Sequence, residues 1–149
     1  MHSETLSDFV TFKRQQQARN DIQLNIVKCC LTLCDVLQAN YQSMYTSGGN
    51  YTFALDSSGR KYHKIFMYIN NQRDSIHAFI DKKTGDVFKP ASIKAPAKGV
   101  RYNMLNMKSR QEMFERADWA GSYLYIRWGY HEVWNHRWME QQSIKHSVW

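Results

Sequence analysis

The chain has 149 residues, 43% apolar and 14% aromatic, which supplies enough material for a packed core and excludes a disordered tail. Its formal charge of +7 is concentrated in one stretch. Residues 1–50 hold four bases and four acids, residues 51–107 ten and four, and residues 108–149 six and five, so the basic middle points to an anionic partner.

No continuous apolar run approaches the roughly 20 residues that span a bilayer. The opening MHSETLSDF has acids where a signal peptide needs a positive region. The expectation is one soluble domain over residues 1–149, with no membrane partner. Its parts are a helical segment at 1–48, an antiparallel sheet at 50–128 and a C-terminal helix at 129–145.

In chain order, Ile22, Ile26, Cys30, Leu33, Leu37, Tyr41 and Met44 recur at steps of three and four. They predict an amphipathic helix over 21–45, capped by Asn20 or Asp21 and ended by Gly48-Gly49. Upstream, Ser3–Gln17 reads as a shorter helix, or as the start of the same one, because Gln15–Arg19 contains no breaker. Cys29, Cys30 and Cys34 are an odd set on that helix, a poor disulfide framework. Cys30 and Cys34 lie one turn apart, but a closed metal site needs a second ligand pair. They read as small apolar residues on a buried stripe, and no metal or cofactor is expected.

From Asn50 the period becomes two. Tyr51–Leu55, Lys61–Asn70, Ser75–Ile80 and Asp86–Lys89 read as strands, joined by turns at Asp56–Gly59, Asn70–Asp74 and Asp81–Gly85. Tight turns between consecutive strands give a meander. Within Lys61–Asn70, the set His63, Ile65, Met67, Ile69 is assigned to the core, and Tyr62, Lys64, Phe66, Tyr68 to the outer face. A basic loop at 89–107 follows, then a helix over Ser109–Ala117 opened by a Ser109–Glu112 capping box. Ser122–Trp128 reads as a fifth strand, and Tyr130–Ile144 as a terminal helix. The fold class is therefore α+β: a long N-terminal helix packed on an antiparallel sheet of four or five strands, with short C-terminal helices.

The candidate site is Asp81–Asn103, which carries both prolines, Pro90 and Pro96, and six cations against two acids. Lys82, Lys83, Lys89, Lys94, Lys98 and Arg101 would meet phosphates, Arg101 by a bidentate contact. Tyr102 would stack a base, since single-stranded nucleic acid is bound by cations along its backbone and rings against its bases. The competing reading is a solvated loop whose lysines serve solubility. Lys61, His63, Lys64 and His77 on the neighbouring strands are further candidates. His63 and His77 on adjacent strands would suit acid–base chemistry on a phosphodiester if they met, although strand histidines are more often packed or hydrogen-bonded.

IDKKTGDVFKPASIKAPAKGVRYN, then a capped helix, then ADWAGSYLYIR resembles small uncharacterised proteins encoded by bacteriophages and environmental viral genomes. The likeness covers about residues 60–127, with Ile93 standing where that pattern has an aromatic. It implies a viral origin and action in the cytoplasm of a bacterial host, and implies no reaction.

Other signatures fail. His131-Glu132 opens a zinc-protease-like string, but position 135 is Asn135 and His136 falls one residue too far. Gly48-Gly49 has no Lys-Ser/Thr after it, and no Gly-x-Ser-x-Gly elbow occurs. Asp56, Asp74, Asp81 and Asp86 all fall at turns, where Asx geometry accounts for them. Trp119, Trp128 and Trp134 read as core, and Trp149 as exposed. The expected function is non-enzymatic binding of a polyanion, single-stranded DNA or RNA first. The alternatives are an interaction protein that inhibits or redirects a host protein, or a self-associating virion component. A phosphodiesterase comes last.

Overall fold

The structure, a computed structural model, describes residues 2–45 and 50–125. The predicted terminal helix at 130–144, the last residues of the predicted strand Ser122–Trp128, and Trp128, Trp134, Trp138 and Trp149 lie outside these residues.

Helix α1 runs from His2 to Met44 without a break, about 65 Å at 1.5 Å per residue. With neither glycine nor proline between Ser3 and Met44, nothing divides the two predicted helices, and they are one. Its core stripe is Ile26, Cys30, Leu33, Cys34, Leu37 and Tyr41, all buried against the sheet. Ile22 and Met44, expected on that stripe, are 41% and 63% exposed, because the sheet reaches only as far as Ile26 and Tyr41. Residues 6–25 are exposed throughout, so the first half of α1 projects past the domain. By length and composition alone a window of Leu6–Met44, with mean hydropathy 1.3, is apolar enough to cross a membrane. Part of that apolarity is the stripe that covers the sheet. Burial pushes the Cys30 and Cys34 thiols up to about 12, which opposes the thiolate form a metal needs.

The sheet is a five-stranded antiparallel meander in sequence order: β1 Tyr51–Asp56, β2 Tyr62–Ile69, β3 Gln72–Asp81, β4 Asp86–Phe88, β5 Tyr102–Asn103. Phe53 pairs with Met67 and Leu55 with Ile65. Ile65 and Met67 therefore pack under α1, as the assigned core face requires. The β2–β3 turn is tighter than expected. Asn70 and Asn71 are both left-handed, φ 52° and 67°, the two-residue hairpin whose twist matches the strands. β3 thus begins at Gln72 rather than Ser75.

Two register shifts follow on β3. Ile65 pairs with Ala78 but Phe66 with Ile76, and Met67 pairs with Ser75 but Tyr68 with Arg73. His77 is the extra residue of the first bulge. Losing strict alternation there lets His77, Ala78, Phe79 and Ile80 all be buried.

The fifth strand is Tyr102–Asn103, paired to β4 through Val87–Tyr102, and the described part of the predicted strand at Ser122 is not extended. Ser122–Leu124 is a 3₁₀ turn entered through left-handed Gly121 (φ 85°). Asp118 fixes it by accepting from the Ser122 hydroxyl and the Tyr123 amide. Helix α2, Met107–Arg116, is capped by Asn106, whose side chain accepts from the Ser109 amide. Ser109 Oγ accepts instead from the Asn103 amide, so no Ser109–Glu112 capping box forms.

Gly85 closes the β3–β4 turn at φ 77°, where a Cβ would lie 3.2 Å from Leu105 Cγ and 3.5 Å from Ile26 Cγ1. Gly85→Ala should lower unfolding free energy by about 1–2 kcal/mol through left-handed strain. Urea denaturation checks this, and an unchanged midpoint would contradict the turn geometry.

Candidate nucleic-acid interface

The basic loop is an ordered tongue. Pro90 and Pro96 face each other in an antiparallel bridge, the Ala97 amide donates to the Lys89 carbonyl at 2.7 Å, and the Ala91 and Ser92 amides both donate to Ala95. Ser92 Oγ accepts from the amides of Lys94 and Ala95. These bonds hold Ile93 and Lys94 at an exposed tip. The chain then re-enters the sheet where the Arg101 amide donates to Val87 at 2.8 Å. Lys64 Nζ donates to the Ile93 carbonyl at 3.2 Å, tying the tip to the outer face of β2.

Lys83, Lys94 and Lys98 are exposed, as a phosphate contact requires. Lys82 instead donates to the carbonyls of Ser57, at 2.6 Å, and Gly59, bracing the β1–β2 turn. Lys89 lies with its ammonium 4.4 Å from the Tyr125 ring centroid.

Two candidates are internal. Arg101 is 7% exposed and donates to the carbonyls of Leu124 (2.9 Å), Lys98 (3.0 Å) and Gly99 (3.0 Å). Its Nε and Nη1 are directed at backbone, so no two adjacent nitrogens remain to form a bidentate fork for phosphate. Tyr102 is 1% exposed, its ring in the core and its hydroxyl donating to the Tyr123 carbonyl at 3.1 Å. No base can stack on it.

On the outer face, Tyr62, Phe66, Tyr68, Phe79 and Phe88 form an aromatic layer, and cations lie over it. The Arg73 guanidinium sits 3.8 Å from the Phe66 centroid, and the Lys61 and Lys64 ammoniums lie 5.4 Å from Tyr62 and Phe79. Arg73 also pairs with Asp56 at 3.2 Å. Hydrogen bonds from Ser58 and then the Arg73 charge hold that carboxyl below the usual range. Arg73 was missed in the sequence because the five-residue turn assumed for Asn70–Asp74 absorbed it. Read as a two-residue Asn-Asn turn, the same sequence sets Arg73 opposite Tyr68.

The histidines do not form a catalytic pair. His63 pairs across the sheet with Ile80, and its Nδ1 is 2.7 Å from Ser57 Oγ. Burial, then the Lys82 charge, lowers its pKa. His77 is turned inward at the bulge, with Nε2 2.8 Å from the Tyr123 hydroxyl. Burial brings its pKa down to about 4, against a smaller opposing effect of Asp118. His77, Lys89, Trp119, Gly121 and Tyr125 share the wall of a cavity of about 210 Å³ beside the tongue. Trp119 also packs edge-on to Tyr41 and donates its amide to Asn40 Oδ1 at 3.0 Å.

Fold and site together define an α+β domain in which a helix crosses a meander sheet and a proline-bridged basic tongue follows the fourth strand. The chain belongs to DUF7717, a family of unknown function whose model matches residues 9–126, from the projecting part of α1 to just past the 3₁₀ turn. No curated protein and no solved structure matches it.

Because His77 titrates lower in the fold than its unfolded value near 6.5, the unfolded chain takes up this proton first as pH falls. Stability is therefore full above about 6.5 and declines down to about 4, by about 3 kcal/mol from this group. Denaturation of wild type and His77→Phe between pH 7 and 4 should show the decline flattened in the variant. Parallel profiles would contradict the burial assigned to His77.

Proposed function

We propose that the protein is a non-enzymatic binder of single-stranded DNA or RNA, acting in the cytoplasm of a phage-infected bacterium. The observation that carries this reading is the rigid tongue with Lys94 at its exposed tip, tied by Lys64 to a sheet face where Lys61 and Arg73 also lie. Order in the free loop reduces the entropy lost on binding. Since Phe66 and Phe79 are buried under their cations, phosphate contacts dominate and binding is sequence-tolerant. The phosphate set is Lys61, Lys64, Lys83, Lys94 and Lys98, without Arg101.

Anisotropy of a labelled oligonucleotide should show log affinity falling with log salt at a slope of roughly −3, as expected for about four neutralised phosphates on a single strand. The double variant Lys94→Glu, Lys98→Glu should bind at least about tenfold more weakly at low salt, with a shallower slope. Absence of binding at low salt overturns the reading.

A second reading, self-association, is favoured by the projecting half of α1. Leu6, Phe9, Val10 and Phe12 are 44–64% exposed there. Val10, Gln17, Leu24 and Leu31 recur every seven residues. Antiparallel pairing would set Leu6 over Leu24 of a second copy. Light scattering should then give a dimer that Leu6→Asp with Leu24→Asp converts to a monomer. A wild-type monomer at high concentration rules this out.

A further inference from the structure

His77 presents a polar atom that the fold leaves unmatched. The residue is 8% exposed, and its Nε2 is engaged by the Tyr123 hydroxyl. Its Nδ1 has no hydrogen-bond partner among the described residues. Buried polar atoms are nearly always paired, so an exception calls for a reason. The ring edge carrying Nδ1 faces Gly121, where a Cβ would come into ordinary contact with the imidazole, 3.5 Å from Cε1 and 3.8 Å from Nδ1. Both residues line the 210 Å³ cavity.

The remaining walls restrict what fits. Met67, Ile76, Pro90, Leu124 and Trp119 supply apolar surface, and Lys89 is the one cation among the described lining residues. Tyr125, 66% exposed, carries the Lys89 ammonium on one ring face. A purely apolar ligand would leave Nδ1 unpaired, and a bare anion would be buried against hydrocarbon. Neither uses what is present. The volume is below the roughly 300–1,000 Å³ of sites for drug-sized ligands, which suits one flat ring system with its substituents outside. Tyr123, fully enclosed and with its phenol pKa raised by burial, keeps its proton beside Nε2. In the tautomer where the phenol donates to Nε2, the neutral imidazole carries its own proton on Nδ1, a donor for an acceptor in the cavity.

We propose that this cavity holds a single nucleobase, with His77 Nδ1–H donating to a ring nitrogen or keto oxygen, Trp119 and Tyr125 against its faces, and Lys89 meeting the attached phosphate. The inference deepens the strand-binding reading and rests on it for a base within a strand. The same chemistry is offered by a free nucleotide.

The test follows the ¹⁵N imidazole signals of His77 during titration of the whole protein. The probes are nucleoside monophosphates, the corresponding nucleosides, inorganic phosphate and a single-stranded decamer, with decamer affinity read by anisotropy. Nucleotides or the decamer should move both His77 ring signals, phosphate alone should not, and nucleosides should bind more weakly than their monophosphates. Tyr125→Ala and Lys89→Gln alter side chains at the cavity mouth. Each should weaken binding by about tenfold, while His77 keeps its chemical shifts in the free protein. Signals moved by the decamer alone assign the base to a strand, and signals moved by monophosphates without decamer binding assign a free nucleotide and remove the strand reading. Decamer binding with His77 unmoved by every probe overturns the cavity proposal and spares the tongue. Phosphate shifting His77 as strongly as nucleotides, or both variants binding like wild type, overturns it too.

Discussion

The Arg101 guanidinium gathers two separate pieces of the chain by donating to the carbonyls of Lys98 and Gly99 on one side and Leu124 on the other. Its own backbone is held to β4 at Val87. The return limb of the tongue, the last strand and the 3₁₀ turn are thereby fixed to one another. No carboxylate pairs with it among the described residues, so the cost of burying the charge is offset by charge-assisted bonds to backbone. Burial lowers its pKa, but from a value so high that it stays charged. The cavity wall at Leu124 and Tyr125 exists in this position because Arg101 holds it there.

That constraint also explains which features could be read from the sequence. Residues whose environment is set by neighbours within a few positions were legible: the apolar stripe of α1, the alternation of β2, and the Asp81–Gly85 turn. Arg101 was not, because one of its acceptors lies 23 residues downstream, and an arginine in a basic segment looks the same whether it faces solvent or carbonyls. Tyr102 was misplaced for a related reason. β5 is two residues long, too short for any period, and pairing with Val87 is what turns its ring inward. SYLYIRW is rich in strand formers, yet left-handed Gly121 and the Asp118 carboxylate hold Ser122–Leu124 in a tight turn that overrides β propensity. The Ser109 capping box failed because Asn106, three residues earlier, offers a better N-cap acceptor.

The outer face of the sheet shows how aromatic and basic residues can be interleaved without producing a stacking platform. Phe66 and Phe79 are fully covered, and the cations over them gain ring contact while keeping their charge towards solvent. Such a face offers positive charge at fixed positions and little accessible π surface. Tyr125, outside the sheet and beside the tongue, has ring area to spare. The tongue and sheet therefore offer positive charge rather than stacking surface.

The β3 bulge connects the two. Without the extra residue at 77, strict alternation would send that side chain outward and leave Phe53 and Tyr123 to close the core with apolar neighbours. The bulge instead inserts an imidazole and satisfies one nitrogen with a phenol, while the other, beside Gly121, has no hydrogen-bond partner among the described residues. For stability alone this is a poor exchange, since an aliphatic side chain there would lose no ring-nitrogen hydration. The cost falls at a position that shares its cavity with Lys89, the first residue of the tongue. That polar group, unpaired among the described residues at the junction of the rigid sheet and the basic loop, is the physical basis of the nucleobase proposal.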